Sequence, residues 1–327
     1  MEVRYVERGT LTRHDPADIP SLLERDTGFV WIDVPAWDEA AERILRDTLH
    51  CHPRLLDACR ERNHVPGLHP YEQHLFVVLH TPLRGEVGHV HLLELDQVVG
   101  RRYLVTVHGP LNPAVDAEQA LAETRSVLDR VLAGRLEART PAALSYALGT
   151  AVARRQRELV GAVAEQLPAL ELQVMAGEFR EPESLLEQLF LIRHELLTGR
   201  TMAAQSVEVF ARAAALERFV DDADRGYARD LADQFERVRS IADGEAQFLH
   251  GVIELYQTRV NTKMTVAMER LAVIAAITLP ITAIASVYGM NVIVFGHTQV
   301  VHLTVVLLVM LAISALLLRW TRRQGWW

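Results

Sequence analysis

Hydrophobic and polar positions divide this chain into three zones. Near the start, short apolar runs alternate with stretches of helical spacing. The middle repeats apolar residues every three to four positions, and from 271 to 318 there is no Lys, Arg, Asp or Glu. Phe29–Val34, 75–80 and 103–107 are rich in β-branched and aromatic residues and bounded by Gly and Pro, which predicts strands. Between the first two, 39–62 has helical spacing, and 87–99 predicts one or two further strands. Some of these strands follow one another without a helix, so 1–113 reads as an α/β domain with a mixed sheet.

After Pro113 the pattern is helical over 114–134, 141–177, 182–216 and from about 222 onward, with a 3.6-residue period. Gly177 and Pro182 mark one turn and 221–226 another, so 114–226 is expected to be a helical cytosolic region. From 227 to 287 the only glycines are Gly244 and Gly251 and the only proline is Pro280. That predicts one helix of about 90 Å at 1.5 Å per residue. Residues 227–270 form its stalk and 271–291 a first membrane span, followed by a loop over 292–299, a second span over 300–318 and a basic tail over 319–327.

Charge decides the orientation. Arg259, Lys263 and Arg270 precede the first span, Arg319, Arg322 and Arg323 follow the second, and the loop between has no charge. Both ends are therefore expected in the cytosol and the loop outside, with Trp320, Trp326 and Trp327 as interfacial anchors. No apolar segment follows Met1-Glu2-Val3-Arg4-Tyr5, so no cleavable signal peptide is expected. Over 327 residues the formal net charge is −8 with no basic stripe, which argues against nucleic acid as a partner. Cys51 and Cys59 make neither a disulfide framework nor a zinc-finger spacing. Neither a nucleophile–base spacing nor a phosphate loop accompanies Asp33 and His80, placed near strand ends, so no enzyme and no cofactor are expected.

In the first span, Met268, Ala272, Ala275, Leu279, Thr282 and Ser286 recur at alternating steps of four and three. This seam fits packing against the second span through small residues. It fits equally a symmetric bundle in which the same residues line a central pore. Glu254 lies two heptads before Met268 on the same seam, where an acidic ring and a solvated stalk face are both readings.

The span ends in Tyr288-Gly289-Met290-Asn291, a polar, uncharged signature between two apolar runs. Together with Met268-Glu269-Arg270-Leu271, Leu279-Pro280-Ile281-Thr282 and Ile284-Ala285-Ser286-Val287-Tyr288, it resembles the first membrane helix of the CorA family of divalent-cation channels. Arg229-Asp230-Leu231-Ala232-Asp233 is similar to the acidic motif of that family's stalk, and 52–66, 71–80 and 103–108 resemble its cytosolic domain. The resemblance implies a homopentamer in the lipid bilayer, with five first spans around the pore and divalent cations as cargo. Gly289, Met290 and Asn291 would form the selectivity filter. Mg²⁺ gives up its waters reluctantly, so a ring of Asn291 carbonyls can hold the hydrated ion through those waters. Gly289 would allow a turn with φ > 0. Thr282 and Ser286 would continue the water contacts, and Met268 with Leu271 or Ala272 would form a hydrophobic gate. Intracellular Mg²⁺ bridging subunits through Asp230 and an acidic partner follows from the same resemblance.

The chain departs from the family in three places. The loop 292–299 lacks the acid common there, Ser286 stands where a Gly is usual, and 81–86 is less acidic than in magnesium-sensing members. Co²⁺ and Ni²⁺ are accompanying cargoes on this reading. Two alternatives stand beside it. One is a Zn²⁺ transporter of the same superfamily, given His50, His52, His64, His69, His74, His80, His89 and His91, although their spacing matches no compact zinc motif. The other is a membrane scaffold or sensor without transport.

Overall fold

The structure, a computed structural model, describes residues 1–85, 88–110, 112–176, 182–216, 222–289 and 300–323. Its chain divides into two compact units, one of Met1–Leu172 with Phe179–Gly251, the other of Gln173–Glu178 with Val252–Trp327.

The first unit is built on a seven-stranded sheet. Its strands are β1 (Glu2–Glu7), β2 (Thr10–His14), β3 (Phe29–Val34), β4 (Gly67–Pro70), β5 (His74–Arg84), β6 (Val90–Gly100) and β7 (Tyr103–His108). They lie in the order β2-β1-β3-β7-β6-β5-β4. The sheet is mixed: β3 and β7 run parallel, and the other neighbours are antiparallel. The β1–β2 hairpin, which the hydrophobic pattern did not announce, turns on Arg8 (φ 50°) and Gly9 (φ 78°). Positive φ at both central residues is what a type I′ turn requires. Gly28 must stay glycine, because a Cβ there would lie 2.5 Å from the Val6 carbonyl oxygen and its φ is +74°.

Alternation along the strands separates two cores. Val30, Ile32 and Val34 of β3 pack with Leu45, Leu55, Leu56 and Cys59 on one face. Phe29 and Trp31 point to the other, against Val127, Val131, Leu144 and Leu148. The first face is covered by α1 (Ile19–Leu23), α2 (Glu39–Arg43) and α3 (Pro53–Arg60). The single helical stretch expected over 39–62 is broken, because His50 adopts φ 52° and Pro53 restarts the helix with His52 as its N-cap. The other face is covered by α5 (Ala122–Leu132), which follows the single turn α4 (Ala117–Ala120), by α6 (Pro141–Ala164), and further along by α8 (Pro182–Ala215) and the start of α9 (Asp222–Gly289). The stretch 141–177 is likewise two helices, α6 and α7 (Leu167–Ala176). Ion pairs tie α8 to its neighbours within this unit, Arg84 to Glu195 at 2.5 Å and Arg200 to Asp243 at 2.5 Å.

Of the turn expected over 221–226, Asp221 lies outside the described residues, and Asp222 through Gly226 are helical without interruption. Acidic residues early in a helix favour its dipole, and a lone glycine costs only about 1 kcal/mol. His80, expected near a strand end, sits mid-way along β5 and is buried.

Candidate ion pathway

Helix α9 has 68 residues, a length of roughly 100 Å at 1.5 Å per residue. Its first part buries Ala228, Leu231, Phe235, Val238, Ala242, Leu249, Val252 and Tyr256, steps of three and four that keep one face covered. Residues 257–268 are exposed all round. From 269 on, a stripe of Glu269, Val273, Ala276, Ile277, Pro280 and Ile284 is buried or half-buried.

The seam residues lie on the other side. Met268, Leu271, Ala272, Ala275, Leu279, Thr282 and Ser286 are all exposed, Leu271 at 65% and Leu279 at 67%. At about 100° per residue they fall in an arc roughly opposite Val273. α10 (Val300–Arg323) is apolar, with one stripe from Val306 through Met310, Ile313 and Leu317 to Thr321 half-buried or buried and most of the rest of its described surface exposed, Val301, Leu311 and Leu316 each near 70%. Both helices are long and apolar enough to cross a membrane. Fully burying one such Leu or Val would contribute about 1.5–3 kcal/mol, so these surfaces demand lipid or further copies of the chain.

Hydroxyls in the two spans turn back on their own helices. Thr278 donates to Ile274 O at 2.9 Å, Thr282 to Thr278 O at 2.8 Å, Thr304 to Val300 O at 2.8 Å and Ser314 to Met310 O at 2.8 Å. A hydroxyl satisfied in this way tolerates an apolar setting and keeps its lone pairs to accept from water. Pro280 lies inside α9 and removes one donor from the ladder. Gly289 is the last residue of α9 and remains helical rather than taking the expected positive φ. Among the described residues, nothing lies within 4 Å of where its Cβ would sit. Met290, Asn291 and the loop 292–299 lie outside the described residues.

Glu254 is exposed on α9, its carbonyl accepting from the Thr258 hydroxyl at 2.9 Å. Asp230 is also exposed but engaged: Tyr146 on α6 and Gln234 one turn on both donate to Oδ2 at 2.6 Å. These two bonds hold its carboxyl below the usual range. Gln234 could be anticipated from helical spacing. Tyr146, on a different helix, carried no sequence signal. Among the described residues, no three His, Cys, Asp or Glu side chains converge on a metal-sized site. The eight histidines are dispersed: His74 and His80 are buried in β5, His89 and His91 pair edge to face at 5.0 Å, and His52 stacks on Tyr71.

Residues 26–323 match the family described as "CorA-like Mg2+ transporter protein". A relative in Bacillus subtilis (strain 168), "Putative metal ion transporter YfjQ", is 23% identical over 314 residues, covering 94% of this chain and 93% of that one. Among solved structures, the CorA magnesium transporter of Methanocaldococcus jannaschii shares the fold with a TM-score of 0.82 at 17% identity, covering 100% of this chain and 99% of that one. Full-length CmaX gives 0.75 at 20% identity, over 98% and 97% of the two chains. The ZntB cytoplasmic domain of Vibrio parahaemolyticus gives 0.62 at 8% identity, over 80% of this chain and 98% of that one. With a soluble α/β domain, a long helix and two exposed apolar C-terminal helices matched along nearly its full length, this chain belongs to the CorA-like family of metal-ion transporters.

Proposed function

We propose that this chain forms a homopentameric channel through which Mg²⁺, accompanied by Co²⁺ or Ni²⁺, enters the cell. The observation that carries the reading is the seam of α9. Seven exposed residues from Met268 to Ser286 face away from the stripe the chain covers itself, and the seam leads to Gly289. Five copies packed around that seam would bury it and leave an uncharged path lined by Thr282 and Ser286 below Gly289-Met290-Asn291. Rings of neutral oxygens would contact the waters of a hydrated ion, which suits a cation that dehydrates reluctantly. Met268, Leu271 and Ala272 would close the inner end by dewetting, and Glu254 would present an acidic ring below them.

A membrane potential of about 100 mV, negative inside, would supply roughly 4.6 kcal/mol to each entering divalent ion, so no nucleotide is needed. Orientation follows the flanking arginines, with both ends cytosolic and 292–299 outside. Subunit bridging by intracellular Mg²⁺ would draw on Asp230. The competing cargo is Zn²⁺. Flux into liposomes separates the two: the channel reading expects Mg²⁺ entry driven by voltage and indifferent to a proton gradient. Zn²⁺ flux that requires the gradient, with no Mg²⁺ flux, would overturn it.

A further inference from the structure

Away from the ion pathway, two acidic side chains of β6 lie inside the soluble unit. Glu94 and Asp96 are two residues apart and so share a sheet face, the one covered by α3. Asp96 is 0% exposed, and neither of its oxygens meets full hydrogen-bond geometry with any neighbour. Glu94 is buried too, but accepts from the Asn63 backbone N–H at 2.8 Å and from Asn63 Nδ2 at 2.6 Å. Asn63 is a junction: its Nδ2 also donates to Ala58 O in α3 at 2.9 Å, and its carbonyl lies 2.7 Å from His80 Nε2. His80 stands opposite Glu94 in the β5–β6 register.

The groups facing the pair do not neutralise it. From α3 comes Cys59, whose thiol burial keeps protonated. From β5 comes His80, which burial pushes toward the neutral form and whose Nδ1 is buried without a partner. Arg62, beyond α3, acts on Glu94 but is exposed and donates to Pro110 O. Burial raises both carboxyls, and Asp96, deeper and without donors, is raised further by its neighbour Glu94. Two ionised carboxylates buried on one sheet face two residues apart repel each other, whereas one shared proton removes the conflict. Among the described residues no three ligating side chains converge, so a metal does not take the proton's place.

We propose that Glu94 and Asp96 form a proton-binding site, in which one proton carried by Asp96 toward Glu94 locks the Asn63 segment to the sheet and to the end of α3. Rising pH removes that proton, and the segment is released. The sign follows from the raised carboxyls: the stabilisation is complete in acid below the ordinary carboxylate range and is lost as pH climbs through the folded-state value.

The test uses the full-length protein in detergent, with Glu123→Gln in every sample so that the other buried carboxyl raised by burial does not contribute. Infrared spectra should show a protonated carboxyl persisting at neutral pH, and Asp96→Asn should remove it. On raising pH, hydrogen-exchange protection of residues 59–64, corrected for intrinsic rates, should fall in step with loss of the band. Asp96→Asn should keep that protection in alkali. If Asp96→Asn does not fold, the parent protein decides alone. Absence of a protonated carboxyl at neutral pH, or band loss with unchanged protection, would overturn the proposal.

Discussion

The Tyr146 hydroxyl donates to Asp230 Oδ2 at 2.6 Å, tying the stalk helix to α6 within one chain. A regulatory Mg²⁺ drawing on Asp230 has to share that oxygen with Tyr146. Tyr146→Phe should therefore lower the Mg²⁺ concentration that protects the protein from protease, about tenfold if the lost bond is worth ~1.4 kcal/mol. Asp230→Ala should remove the protection. Identical curves for Asp230→Ala and wild type would end the regulatory reading.

Inside the soluble unit, burial alone would push the Asp33 carboxyl up, yet His108 at 3.2 Å, Thr106 at 2.6 Å and Arg4 hold it below the ordinary range. A carboxyl depressed on folding stabilises above its unfolded value and loses that contribution as pH falls through the folded value. Acid unfolding should thus be steeper in wild type than in Asp33→Asn. Asp33→Ala, which leaves the buried Thr106 hydroxyl and His108 without their acceptor, should cost about 3 kcal/mol near neutral pH. Urea unfolding of the full-length protein in detergent, followed by circular dichroism, reads both.

Phe235 of α9 is 0% exposed and stacks on Phe210 of α8 with ring centroids 5.6 Å apart. Phe235→Ala should cost about 3–5 kcal/mol. A lower urea midpoint at unchanged slope is the expected result.

Much of this architecture was legible because it rests on periodicity. β3 coincides with the apolar run at Phe29–Val34, and α9 and α10 follow from long stretches without breakers. What stayed hidden depends on single residues or on distant partners. The β1–β2 hairpin escaped because its polar, half-exposed β2 shows little alternation, and its turn rests on Arg8 as well as Gly9. Asp222–Gly226 looked like a turn from composition, but helix continuity prevailed. The seam's spacing was visible at once; that it faces away from the covered stripe of α9 needed coordinates. Tyr146 is 84 residues from Asp230, so only the fold brings them together.

The proposed inner gate offers a separate test. Met268 is exposed at 55% on the seam. If Met268 forms the proposed constriction, Met268→Ser should wet it and raise Mg²⁺ flux, by roughly tenfold for each 1.4 kcal/mol removed from the barrier. Unchanged flux would place the gate elsewhere.

Mg²⁺ flux into liposomes under an inside-negative potential, wild type against Asn291→Ala, with assembly checked by crosslinking, tests the central claim. The account predicts that Asn291→Ala assembles as wild type does and conducts no Mg²⁺. Equal flux through both proteins, or none through wild type, would contradict it.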